Sequence, residues 1–180
     1  MNKNTIVVNL IAPPSSGKST IAAGVFAKLK WMGVDCELVS EFAKEQRHET
    51  FKDELYIFAK QNHRLFRVNG KVDVVVTDRP IILSAFYNHK YGDDSAVFED
   101  MVLHTHDKYN NLNFFIERSK PYNPNGRNQT EEESDQFGVE MKEMLDSFGI
   151  EYYTLKGTPD AVDAIADEIW ERVEEWYAPY

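Results

Sequence analysis

An α/β fold, with five parallel strands in one sheet and helices on both of its faces, is predicted from three observations. β-Branched apolar runs alternate along the chain with longer segments of helical periodicity, the pattern of βαβ units closed by parallel pairing. The first such run feeds directly into a Pro-Ser-Gly turn that opens a helix. The third ends on Asp78-Arg79-Pro80, where proline disfavours continued pairing. The 180 residues contain no internal repeat, long linker or low-complexity tract, and their number suits one domain spanning 1–180.

Taken in order, Thr5 to Ile11 is β-branched and apolar and predicts a buried parallel strand. A helix is expected from Lys18 to Met32, ended by Gly33. Cys36 to Ser40 predicts the second strand, with polar helical sequence from about Glu41. Over 51–69, Phe51, Leu55, Phe58, Ala59, Leu65 and Phe66 recur at mostly helical spacing before Asn69-Gly70. Val72 to Thr77 is a valine-rich third strand, and helical sequence follows on both sides of Gly92-Asp93-Asp94. Leu112 to Glu117 predicts the fourth strand. Pro121, Pro124 and Asn125-Gly126 then mark a turn-rich segment, read as a short lid over about 118–129. Thr130 with Glu133 predicts a capping box for a helix carrying Phe137, Met141, Met144, Leu145 and Phe148 on one stripe before Gly149. Ile150 to Leu155 is the fifth strand. Thr158-Pro159 starts a last helix whose Val162, Ile165, Ala166, Ile169, Val173 and Trp176 are expected to face inward.

Hydrophobic residues make up 42% and charged residues 28%, which excludes disordered and fibrous classes. The run from Ile6 to Ile11 is interrupted by Asn9 and is too short for a bilayer span or a secretion signal. Cys36 is the sole cysteine, so an intramolecular disulfide is excluded. Together these predict a cytoplasmic protein with no membrane partner. The net charge of −10 argues against a polyanionic partner, but it is unevenly placed. Residues 131–180 hold 15 acidic and 3 basic side chains, leaving residues 1–130 at +2. The acidic end is read as a solvated helix face.

Ala12-Pro13-Pro14-Ser15-Ser16-Gly17-Lys18-Ser19-Thr20 has the spacing of a phosphate-binding P-loop, with Ala12 in place of the usual first glycine. Such a loop turns backbone N–H groups inward around phosphates above a helix N-terminus, and supplies a lysine for the β/γ-oxygens and a hydroxyl for Mg2+. Gly17, Lys18 and Ser19 sit where those tasks require. The motif predicts ATP and Mg2+ as cofactors and a P-loop NTPase fold. Asp78, after the third strand, is a candidate to orient the metal or accept a proton from an acceptor hydroxyl. Glu41 ends the second strand at the same ligand-binding edge. Arg118 and Arg127 flank the lid and are candidates to offset charge on a transferring phosphoryl group. His104 and His106 lack a third ligand at a convincing spacing and are read as a surface helix rather than a metal site. Phe86, Tyr87, His89 and Tyr91 are candidate walls of an aromatic base pocket or parts of the core.

These residues resemble the ribosylnicotinamide-kinase-like P-loop proteins, which include the kinase domain of bacterial bifunctional NAD-biosynthesis regulators and many bacteriophage relatives. The resemblance rests on Ala12 to Thr20, on Glu41-Phe42-Ala43-Lys44 after the second strand, on Gln61, and on Tyr122 to Arg127. It implies an acceptor-side role for Glu41, a substrate-site role for Gln61, and the lid role for Arg127. Asp78-Arg79 instead resembles the Asp-Arg of nucleoside monophosphate kinases, which implies that Arg79 binds an acceptor phosphate. The expectation is a kinase that transfers the γ-phosphoryl group of ATP to a hydroxyl of a small, nicotinamide riboside-like acceptor. Nucleoside monophosphates, hydroxymethyl-uracil in phage DNA, and a nucleotide-binding ATPase switch remain alternatives.

Overall fold

A computed structural model describes residues 4–42, 53–123 and 129–177. The chain runs β1 (Ile6–Ile11), α1 (Lys18–Trp31), β2 (Cys36–Val39), α2 (Glu54–Val68), β3 (Val74–Thr77), α3 (Leu83–Tyr91), α4 (Ala96–His106), β4 (Asn110–Glu117), α5 (Glu131–Ser147), β5 (Tyr153–Lys156) and α6 (Asp160–Tyr177). The strands form one sheet in the order β2-β3-β1-β4-β5, and each adjacent pair is parallel. The α/β prediction is met. The helix expected from Glu41, and Arg127 within the lid, fall among the residues outside this description.

Side-chain alternation along the central strand divides the core. Ile6, Val8 and Leu10 pack with α1 and α6, while Val7 and Ile11 pack with α2 through α5. Both faces of β1 are therefore apolar, and the strand reads as a continuous hydrophobic run. Asn9 breaks that run. Its Nδ2 donates to Asn111 Oδ1 and Asn113 Oδ1 of β4, each at 2.9 Å, and Asn113 Nδ2 donates to the Glu151 carbonyl at 3.0 Å. A buried amide at this place is satisfied only in one register of β1 on β4.

The predicted stripes fare differently. On α5, Phe137, Met141 and Leu145 are buried, and the Thr130–Glu133 capping box is present. On α6, the stripe through Ile165, Ala166, Ile169 and Val173 is buried, but Trp176 is 47% exposed. The helix α2 is rolled relative to expectation: Leu55, Ala59 and Phe66 are exposed, and the buried face holds Glu54, Ile57, Phe58, Gln61 and Leu65. Two polar side chains replace apolar ones because this face looks onto the carboxyl ends of β2 and β3, where backbone and charged groups need partners. β5 begins three residues later than expected, since Ile150 and Tyr152 pack beneath the sheet against the core. His106 is buried at the end of α4 while His104 is exposed, so the pair does not share a surface.

Candidate functional site

The loop Ala12–Gly17 leaves the carboxyl end of β1 and turns into α1. β1 is followed by a connection toward β2 and its neighbour β4 by one toward β5, so the chain departs to opposite sides of the sheet here. A crevice at such a switch point is where open α/β sheets take ligands.

Ser15 and Gly17 have positive φ values of 65° and 86°, and left-handed residues in such a turn point successive N–H groups into one concavity. Gly17 makes the second of these conformations without a Cβ penalty. It also caps α1 without any side-chain acceptor, and the first turn of α1 carries no acidic residue. The helix N-terminus thus keeps its electropositive end for an anion. Ser16 Oγ is buried with no hydrogen-bond partner among the described residues, a further donor within the loop. Lys18 Nζ spans the loop to donate to the Ala12 carbonyl.

Neighbouring segments brace this loop from three directions. Ser134 Oγ of α5 donates to the Pro14 carbonyl at 2.7 Å. Ser15 Oγ accepts from the Asn123 N–H at 3.0 Å, tying the loop to the root of the lid segment. After β5, Gly157 passes so close that a Cβ would lie 2.7 Å from the Ser16 carbonyl oxygen and 3.1 Å from that of Glu117. Ala12, Pro13, Pro14 and Ser16 are all buried, whereas Gly17, Ser19 and Thr20 are exposed at the crevice.

Asp78 links the two halves of the site. Its Oδ2 accepts from Ser19 Oγ at 2.7 Å and its Oδ1 from the Glu41 N–H at 2.9 Å. A hydroxyl and a carboxylate facing each other are hard oxygen donors, and Mg2+ is typically held by one or two such groups together with phosphate and water. Ser19 and Asp78 therefore fit a magnesium ion. Among the described residues no group of three His, Cys, Asp or Glu side chains could hold a metal by itself.

Beyond Asp78, the ends of β2 and β3 carry a buried charge cluster. Arg79 is 5% exposed, and its Nη2 donates to Glu54 Oε1 at 2.6 Å. Its Nη1 lies 3.9 Å from Glu41 Oε1, and its guanidinium carbon sits 4.2 Å from the centroid of the Tyr87 ring. Burial works against the Arg79 charge, but Glu54, Tyr87 and Glu41 outweigh it and hold the guanidinium above its ordinary value. Burial pushes the Tyr87 phenol up to about 12, with Arg79 opposing. Gln61 is 1% exposed; its Oε1 accepts from the Phe42 N–H at 3.0 Å, and its Nε2 reaches the Ser40 carbonyl and Thr77 Oγ1 at 3.4 Å. This amide fixes the chain as it leaves β2, and so fixes Glu41.

The remaining candidates separate. Arg118 follows β4 directly, and its Nη2 donates to Asp135 and lies 3.2 Å from Glu131, both on α5. Its guanidinium carbon is 5.3 Å from the Tyr122 ring centroid. Phe86 is buried in the core beside Tyr87, Tyr91 is partly exposed, and exposed His89 pairs with Asp94 at 2.7 Å. Sequence reasoning missed Glu54. The signal was present, since Glu54 and Gln61 are seven residues apart and share a helical stripe with Ile57, Phe58 and Leu65.

No curated protein sequence matches the chain. Among solved structures, the NadR protein in complex with NR superposes with a TM-score of 0.66 at 18% identity, over 91% of this chain and 50% of that one. NadR in complex with NAD and AMP-PNP gives 0.64 at 18% identity, over 91% and 49%. Thymidylate kinase from Ehrlichia chaffeensis gives 0.61 at 13% identity, over 94% and 99%. The chain thus spans about half the length of the NadR chains it matches, and the resemblance to ribosylnicotinamide-kinase-like proteins holds in the fold. A family model described as AAA domain matches residues 7–161, and the chain belongs to that family.

Proposed function

We propose that the chain is a kinase that transfers the γ-phosphoryl group of ATP to a hydroxyl of a small nucleoside-like acceptor, with nicotinamide riboside as the first candidate. The observation that carries this reading is the juxtaposition of Ser19 and Asp78 at 2.7 Å, with Glu41 hydrogen-bonded through its backbone to the same carboxylate. One carboxylate thereby joins the nucleotide-binding loop to the strand ends where an acceptor would lie. NadR, which shares the fold, is described as binding NR and, in another complex, NAD and AMP-PNP.

In this reading the loop N–H groups, Ser16 Oγ and the α1 N-terminus hold the phosphates, and Lys18 swings from the Ala12 carbonyl onto the β/γ-oxygens. Mg2+, when bound by Ser19 and Asp78, neutralises charge on the phosphate oxygens. Glu41 receives the proton of the acceptor hydroxyl as the hydroxyl oxygen bonds the γ-phosphorus and the bond from that phosphorus to the β,γ-bridging oxygen breaks, leaving ADP. Gln61 and Arg79 keep Glu41 at the acceptor face. Arg118, released from Asp135 and Glu131, and Arg127 stabilise the transferring group from the lid segment. Catalysis is positioning and electrostatics throughout. No helix among the described residues is long and apolar enough to cross a membrane.

Lys18→Ala tests the assignment. ADP formation dependent on an added nucleoside should fall by roughly a thousandfold, the scale of losing a charged transition-state contact, while the circular dichroism spectrum and the Tm stay close to wild type. Activity equal to wild type would remove the kinase reading. Rapid ADP release without any acceptor would favour the ATPase switch, and phosphate incorporated into duplex DNA, with steeply salt-dependent KM, would favour DNA as acceptor.

A further inference from the structure

The buried pair beside Asp78 decides what kind of acceptor the site admits. An arginine directly after the third strand stands where it could grip a phosphate, but its guanidinium is already engaged on several sides. Glu54 takes Nη2 at 2.6 Å, the Glu41 carboxylate lies 3.9 Å from Nη1, and the Tyr87 ring covers one face at 4.2 Å. Glu54 is as buried as its partner, at 5% exposure; burial pushes its carboxyl up, and the charge of Arg79 beside it is what most opposes that rise. With Glu41 added, two carboxylates face one buried guanidinium, and there is little water to screen them. Arg79 Nε is buried without a partner among the described residues. No part of this arrangement offers an uncompensated cation to an anion.

We propose that Glu54 is the specificity-determining residue of the acceptor site: by neutralising Arg79 it excludes acceptors that carry a phosphate near the reacting hydroxyl and selects neutral or cationic nucleosides. The inference rests on the kinase reading for its substrate class, but its physical content is the cancelled charge of Arg79. A phosphorylated acceptor would have to displace a buried carboxylate from a bond of 2.6 Å and meet the Glu41 carboxylate in doing so, a combination of lost partner and like-charge contact that partner discrimination commonly uses. The element responsible is α2, which the roll of the helix turns so that Glu54, rather than Leu55, faces the strand ends.

The test uses the full chain saturated with AMP-PNP and magnesium, so that the phosphate loop is occupied, and measures binding of nicotinamide riboside, thymidine and the 5′-monophosphate of each by calorimetry. Wild type should prefer each nucleoside over its monophosphate. In Glu54→Gln that preference should shrink by at least about tenfold, the scale of one charge-assisted hydrogen bond regained, and the change should vanish in Glu54→Gln/Arg79→Gln. If Glu54→Gln does not fold, Glu54→Asp, which keeps the buried charge but shortens its reach, serves the same comparison. Monophosphates bound by wild type as tightly as nucleosides, or a ratio unchanged in both Glu54 variants, would overturn the inference. Inorganic phosphate separates this from failure of the kinase reading. Phosphate-induced thermal stabilisation that arises only when Glu54 is altered and disappears with Arg79 supports the inference even if no acceptor is turned over, in which case only the kinase reading falls.

Discussion

The phosphate side and the acceptor side of this crevice are built on opposite principles. The phosphate side is nine consecutive residues, Ala12 to Thr20, whose geometry follows from local backbone rules: a strand end, positive φ at Ser15 and Gly17, and a helix start without an acidic first turn. Its neighbours only brace it, through Ser134, Asn123 and Gly157. The acceptor side has no contiguous segment. Glu41 comes from the end of β2, Glu54 and Gln61 from α2, Asp78 and Arg79 from the end of β3, and Ser84 and Tyr87 from α3. In the proposed reading the first region recognises a group common to all nucleoside triphosphates, and its geometry can be written locally. The second, in the same reading, discriminates among acceptors, which requires charges placed against one another in three dimensions.

Asp78 belongs to both regions, and its replacement is the most severe test of their separation after loss of Lys18. Asp78→Asn keeps the side-chain shape and one acceptor oxygen, but removes the charge facing Ser19 and the partner for a metal. Turnover should fall about a hundredfold, in line with loss of a general base or metal-orienting carboxylate. Steady-state kinetics at saturating magnesium check it, and a loss below about threefold would return Asp78 to a turn residue at the end of β3.

Gln61→Leu addresses the acceptor side alone. The substitution leaves the Phe42 N–H, which donates at 3.0 Å, without its acceptor in a buried place, a cost of about 1–3 kcal/mol. Urea denaturation should report that loss. Because the chain leaving β2 then loosens around Glu41, the acceptor KM should rise while the KM for ATP changes little. An equal rise in both would show that the two sides are one mechanical unit rather than two.

What could be read from the sequence follows the same division. Strand ends, the P-loop, the capping box at Thr130 and the α5 stripe rest on neighbours within about four residues, and local chemistry determines them. The fold class came from the alternation of such segments. Glu54 was missed because Leu55, Ala59 and Phe66 form an equally good apolar stripe on α2, and only tertiary context decides which face turns inward. The polar face wins because Phe42, Ser40 and Arg79 present donors, an acceptor and a charge that an apolar helix face would leave unsatisfied. Arg79 shows the same limit from the other direction: its position after β3 was legible, but the carboxylate that cancels it lies 25 residues earlier. Trp176 fails for a simpler reason: at the end of α6 it is Tyr177, stacked on Trp170 and accepting from the Asp35 N–H, that packs against the core, and Trp176 beside it is left 47% exposed.

The smallest expected effect lies outside both regions and calibrates them. His106 ends α4 near the start of β4, where its carbonyl accepts from Asn111 Nδ2 at 2.6 Å, at the edge of the sheet away from the strand carboxyl ends. It is 4% exposed, and burial lowers its pKa below the ordinary value of 6.5, with Asp107 opposing weakly. The unfolded chain therefore binds more protons than the folded one between the lowered value and 6.5. Stability must fall as pH drops through that window, and the loss must level off once the folded imidazole is itself protonated. His106→Gln removes the titration without removing the polar volume, so its Tm should decline less than that of wild type when pH is lowered from about 7.5 to about 5.5. Nucleoside-dependent turnover at neutral pH should be unchanged by the substitution. If the two proteins lose stability in parallel, the burial of His106 is not the source of the acid sensitivity, which then lies elsewhere in the fold; the Glu54 carboxyl, pushed up by burial, works in the opposite direction.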